Sequence, residues 1–284
     1  MVREFKLVNE KGQTFSLMDI EKYCLLTEPG GLGYSYNTEY EQLGNTFITN
    51  LRRTEQGQIN GQVNFLNYDN YKKLVDYIEK SENIKFSYIV PYKSGVKEYL
   101  KDIQIKELSK TEIQENGVMS ESIIFDCLSL WYEENKTVYT ITAQESEIRW
   151  DFRWDSTFGD YSARNLKFIN QGHIEAPILV SIDGQVQNPK LELYIEDELY
   201  QTVAINTTIN QYEKLLYSSK ENDFYIYKQN TDGTLTSLFD LSIINFAADN
   251  VIRFPKNKSC ELMLKADNDI THAEVTILVY YKAV

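Results

Sequence analysis

The side chains best suited to chemistry in this sequence are two histidines, His173 and His272, three cysteines, Cys24, Cys127 and Cys260, and a surplus of carboxylates. Neither histidine has a second His or a Cys at the spacing a zinc site requires. The cysteines lie too far apart for a disulfide framework or a paired-thiol metal knuckle, and they read as buried thiols. No G-x-S-x-G nucleophile turn occurs. A glycosidase needs only two carboxylates across a sugar, yet with 42 acids in the chain the pattern selects no pair. The glycines of EPGGLGYSY, residues 28 to 36, are in the wrong order for a phosphate loop and no Lys follows, so they read as a loop between strands. No catalytic, cofactor or metal residue is assigned.

Two stretches keep a sharper possibility open. In RWDFRWD, Trp150, Phe152 and Trp154 share one strand face while Arg149, Asp151, Arg153 and Asp155 share the other. Trp150 and Trp154 are the candidate sugar-stacking residues; three large aromatics in register are more often core. The stretch INQGHIEAPILVSIDGQVQNPKLELYI, residues 169 to 195, sets a histidine and acids among turn signals. His173 beside Gly172 at a strand entry reads as a turn residue, and the segment as punctuated sheet.

The elements that would position such groups are mostly strands. In QINGQVNFLN the residues Ile59, Gly61, Val63 and Phe65 alternate with Gln58, Asn60, Gln62 and Asn64, the pattern of a half-buried strand. The period then changes: Tyr71, Leu74, Val75 and Ile78 fall on one face of a helix that Asp69 or Asn70 is placed to cap. IKFSYIV, stopped by Pro91, then YLKDIQIKEL and SESIIFDCLSLWY read as strands. The polar segment between Trp131 and Thr142 is placed as a tight domain junction, giving domains 1–140 and 141–284. In the second block Pro177 precedes a strand, Asp183-Gly184 and Asn188-Pro189 offer turns, LELYIE alternates, and short apolar runs recur as in a β-sandwich.

Bulk properties narrow the partners. The net charge of −13 argues against a nucleic-acid backbone or an anionic membrane surface, both of which repel an acidic protein. No run approaches the length of a membrane span, and no apolar run follows the charges of the N-terminal segment, so a chain made in a cytoplasm without a secretion signal or membrane insertion is expected.

The order of these elements, with FKLVNEKGQTFSL, PGGLGYSY, GQINGQVNFL running into YDNYKKLVDYIEK, LSLWY, and then FINQGHIEAPILVSIDGQVQNPKLEL, resembles the distal tail protein (Dit) family of siphophages infecting Gram-positive bacteria. The resemblance implies a mainly β fold, with an N-terminal β-rich belt domain carrying one helix and a C-terminal galectin-like β-sandwich. It implies a non-enzymatic virion protein at the distal end of the tail. Such a protein forms a homo-oligomeric, hexameric ring between the major tail tube protein and the tail hub, and its periphery can carry receptor-binding proteins. Residues 36–66 and 83–106 are the candidate ring contacts by their position in the belt-like domain, and acids lining such a ring would repel passing DNA. The alternatives are a carbohydrate-binding adhesion module that uses Trp150 and Trp154, and a glycan hydrolase. No inserted carbohydrate-binding domain is visible, and a shared fold does not carry a shared sugar site.

Overall fold

The computed structural model describes residues 3–140, 164–243 and 251–284. It divides into two compact units, residues 1–133 with 281–284, and residues 134–280. The expected mainly β architecture is found. The segment placed as a polar junction is a strand, Trp131–Thr140, and the division falls within it.

In the first unit the strands are β1 (Glu4–Asn9), β2 (Thr14–Ser16), β3 (Leu25–Gly30), β4 (Tyr36–Leu43), β5 (Thr46–Thr54) and β6 (Gln58–Phe65). Helix α1 (Tyr68–Glu79) follows, then β7 (Ile84–Tyr92), β8 (Gly95–Leu108), β9 (Met119–Cys127) and the start of β10 (Trp131–Thr140). An antiparallel sheet runs in the order β2-β1-β7-β8-β9-β6-β3. Its two ends meet at Leu17, whose N–H donates to Phe5 O at 2.9 Å and whose carbonyl accepts from Leu26 N at 2.7 Å. A bridge between Met18 and Leu25 completes the closure.

The alternation expected in β6 is present: Ile59, Val63 and Phe65 are fully buried while Gln58, Asn60 and Gln62 are exposed. They join a core of Phe5, Leu7, Phe86, Phe125 and Trp131, in which Phe86 meets Phe125 at 5.5 Å and Trp131 at 6.2 Å between ring centroids. Helix α1 buries Leu74, a burial that contributes about 2 kcal/mol, and sets Tyr71 edge-on against Phe65. Its N-cap is Asn67, whose Oδ1 accepts from Asn70 N at 2.8 Å, and not Asp69 or Asn70 as expected. Asn70 is instead buried one turn in, where its amide donates to Glu21 O at 3.3 Å. Pro91 does not stop β7 either. Beyond Ile89 that strand is bonded to β8 but no longer to β1, so a residue without an N–H is tolerated at this outer end.

The second unit holds β11 (Arg164–Ile169), β12 (Ala176–Asp183), β13 (Val186–Gln187), β14 (Lys190–Ile195), β15 (Glu198–Ile205) and β16 (Thr208–Ile209). They are followed by β17 (Lys214–Lys220), β18 (Asp223–Gln229), β19 (Leu235–Ser237), β20 (Ser242–Ile243), β21 (Arg253–Phe254), β22 (Ser259–Lys265) and β23 (His272–Tyr281). One antiparallel array runs β19-β18-β17-β12-β23, and a second runs β11-β22-β14-β15-β20. Phe168 of the second array, half-buried, meets Phe254, on the strand bonded to β12, at 5.5 Å, and the hydroxyl of Tyr217 in the first array accepts from Ile252 N at 3.0 Å.

Three details differ from the sequence reading of this unit. Pro177 lies inside β12 rather than before it. After Asp183-Gly184 the chain does not fold back on β12, because β13 pairs with β16. β14 does not alternate cleanly, because Glu192 is buried between Leu191 and Leu193. Its carboxylate is compensated by Lys190, by Lys265 at 2.8 Å and by the Tyr194 hydroxyl at 2.7 Å. Three polar partners offset the cost of burying one charge.

Candidate assembly surface

Of the two segments expected to make contacts between copies, the first contains a feature set apart from the closed sheet. Among the described residues β4 and β5 pair only with each other, from Tyr36↔Thr54 to Leu43↔Thr46. The sequence makes them a hairpin because Gly44 supplies φ +62 in the two-residue turn Gly44-Asn45, the positive φ that tight hairpin turns demand. Neither face of this ribbon is buried within the chain, and an isolated two-stranded ribbon is marginal in water.

Its outer end is apolar on both sides. The register puts Tyr40 and Phe47 on one face with Gln42, and Leu43 and Ile48 on the other with Glu41. Phe47 is 69%, Leu43 65% and Tyr40 64% exposed. Large apolar side chains clustered on one element form an exposed patch of the kind found at interaction sites.

The root of the hairpin is polar and fixed. The Arg52 guanidinium stands 3.7 Å from the centroid of the Tyr36 ring, and Lys282 Nζ donates to the Tyr36 hydroxyl at 2.8 Å. That hydrogen bond, with the charges of Lys282 and Arg52, holds the Tyr36 phenol below the usual tyrosine range. Ser35 Oγ donates to Glu55 at 2.8 Å, and Glu55 N donates back to Ser35 O at 3.0 Å. Upstream, Trp131 Nε1 donates to Leu32 O at 2.9 Å. Gly31, at φ +73, lies so close to β6 that a Cβ there would sit 1.7 Å from Gln58 O. EPGGLGYSY is thus less of a loop than expected: Glu28–Gly30 complete β3, and its glycines allow the backbone to pass against β6.

In the second expected segment, β7 and β8 form a ribbon whose outer end carries exposed Tyr92 and Val96. Most of its inner part is core: Ile84, Phe86, Tyr99 and Ile103 are buried. Ring contacts over all of 83–106 are therefore not available, and the exposed large apolar residues, Tyr92 and Val96, lie near the β7–β8 turn.

Beside the hairpin root, a cavity of about 390 Å³ opens between Thr54–Gly57, Cys127–Leu130, Lys101 and Lys282. Lys101 is the residue that the sequence reading passed over. It lies on the inward row of β8 with Tyr99 and Ile103, and the whole residue is 4% exposed. Burial lowers the pKa of its ammonium, and the neighbouring Cys127 draws it partly back. The signal was legible in YLKDIQIKEL, where a lysine occupies a position that alternation assigns to the apolar face.

The other candidates are scattered. Trp150 and Trp154 lie outside the described residues. His173 is exposed in the bend before β12, with its N–H donating to Tyr280 O at 2.7 Å, and His272 begins β23. Cys24, Cys127 and Cys260 are free and buried, as expected; burial pushes the Cys24 thiol up to about 12 and the Cys260 thiol up to about 11. Among the described residues no group of three His, Cys, Asp or Glu side chains is placed to hold a metal ion, and no helix is long and apolar enough to cross a membrane.

Residues 4–128 match the family described as distal tail protein, N-terminal domain. A distal tail protein of Lactococcus phage SK1 is 26% identical over 144 residues, which span 48% of each chain, so the match covers about half the length of that curated relative. Among solved structures, a chain of the phage p2 baseplate in its activated conformation with Ca is similar over 100% of both chains, with a TM-score of 0.68 at 18% identity. The phage SPP1 Dit protein is similar over 96% of this chain and 98% of its own, with a TM-score of 0.56 at 10% identity.

Proposed function

We propose, from the match of residues 4–128 to the N-terminal domain of the distal tail protein family, that the chain is a structural, non-enzymatic component of the phage tail tip, built into a ring of six copies. The ring joins the tail tube to the tail hub and the receptor-binding apparatus. Each copy presents two different faces to its neighbours, and closure at a fixed number makes modest pairwise contacts into a stable collar.

The observation that carries this reading is the β4–β5 hairpin. Its root is held by Tyr36, Arg52 and Lys282, while its end exposes Tyr40, Leu43, Phe47 and Ile48 on two opposite faces. An arm that is apolar on both faces suits insertion between elements of the next copy. The exposed end of the β7–β8 ribbon offers a second contact of the same kind. The second unit, a pair of antiparallel arrays, acts as a galectin-like docking module for proteins, with no sugar required.

The test is the mass of the purified protein by light scattering over a range of concentrations, with negative-stain images of the same sample. Six-fold rings, formed alone or on mixing with the neighbouring hub or tube protein, are expected. A monomer under all of these conditions overturns the reading.

A further inference from the structure

The cavity at the hairpin root contains a charge without a counter-charge. Lys101 lines it at 4% exposure, with its ammonium 4.5 Å from the centroid of the Trp131 ring and the Cys127 thiol beside it. Among the described residues no carboxylate pairs with Lys101. Ammonium groups buried this deeply are ordinarily paired, because the aromatic face and the thiol replace only part of the lost hydration. Lys282 adds a second cation to the lining, engaged with Tyr36. The one acid of the lining, Glu55, is held by Ser35.

We propose that this cavity is a carboxylate-binding site in which Lys101 takes the charge. Two ammonium groups and the one carboxylate of Glu55 leave the lining with a net charge of one, which matches a monoanion. A phosphate dianion would bring a second charge that meets Glu55. Two sources have the right chemistry. One is an Asp or Glu side chain of a neighbouring copy, which the surplus of 42 acids over 29 Lys and Arg supplies; this source rests on the ring reading above. The other is a small free carboxylate, which does not.

The experiment is a sodium acetate titration of the dilute, unassembled protein, followed by NMR at the Lys101 side chain and at the backbone amides of Gly57 and Ser129, with sodium chloride at matched ionic strength as control. Saturable shifts are expected at these signals, with loss of the Gly57 and Ser129 response in Lys101→Met. Lys101→Gln serves if the methionine variant does not fold. Shifts that fail to saturate, that chloride reproduces, or that persist without Lys101 overturn the site. The titration is then repeated on the assembled protein: a site closed to acetate identifies the neighbouring copy as the source, and a site still open identifies the free carboxylate. Because the first arm uses unassembled chains, failure of the ring and failure of the site are read separately.

Discussion

The guanidinium of Arg52, on β5, lies 3.7 Å from the centroid of the Tyr36 ring at the start of β4, so the two strands of the hairpin are clamped where they leave the body of the first unit. Arg52→Ala removes this clamp. An exposed cation–π contact contributes roughly 0.5–1 kcal/mol, so the amides of residues 36–54 should exchange about two- to fivefold faster. Amides of β6 and β9 should be unaffected, and hydrogen exchange resolved by residue checks both.

At the other end of the hairpin, Phe47→Asp should separate folding from assembly. Phe47 is exposed, so the thermal stability of the single chain should change by no more than about 0.5 kcal/mol. If the side chain anchors a neighbouring copy, truncating it costs at least about 2 kcal/mol per contact, roughly thirtyfold in affinity. Sedimentation of the variant should then show single chains at concentrations where the parent forms rings.

Two glycines with nearly equal φ offer a controlled comparison. Gly12 has φ +72 with open space around its missing Cβ, whereas Gly31 has φ +73 and a Cβ would be 1.7 Å from Gln58 O. Gly12→Ala should cost about 1–2 kcal/mol, the penalty of the left-handed region alone. Gly31→Ala should cost more, about 3 kcal/mol or above, because β6 must also move. Urea denaturation of both variants measures the difference.

Glu192 gives the second unit a dependence on acid. Burial pushes its carboxyl up, but the hydrogen bonds from Lys190, Lys265 and Tyr194 outweigh that and hold it at about 2, below its ordinary value of 4.5. A group with a depressed folded-state pKa contributes stability that is full above the unfolded value and is lost as pH falls through the folded value. The Tm of the parent should therefore fall between pH 4.5 and about 2. Glu192→Gln should be less stable at neutral pH, with a flatter profile over the same range; an unchanged slope would show that Glu192 is not the group responsible.

Much of the fold was legible because it follows from side-chain period. The alternation of Gln58–Phe65 and the spacing of Tyr71, Leu74, Val75 and Ile78 each reflect one buried face, and both elements are found. What could not be read depends on partners far along the chain. Asn67 is the cap rather than Asp69 because the helix starts at Tyr68, one turn before its apolar row is established. Glu192 is tolerated in an apolar row because Lys265, on β22, lies beside it. Lys101, a lysine in an apolar row, lines the cavity beside Trp131 and Cys127, both far along the chain. The candidacy of segment 36–66 rests on position; that its first half is a separate ribbon follows from its pairing, among the described residues, with nothing but itself.

The closure at Leu17 also bears on the hairpin. A sheet whose last strand is bonded back to its first offers a foreign strand little on which to extend it. During synthesis of many copies in one cell, the closed body of the first unit is thereby protected from stacking edge to edge with its siblings. Among the described residues of that unit, unpaired backbone lies along the outer rims of β4 and β5 and along the end of β7 beyond Ile89. The same rule that guards the chain against clumping leaves the rims of the hairpin open to another chain.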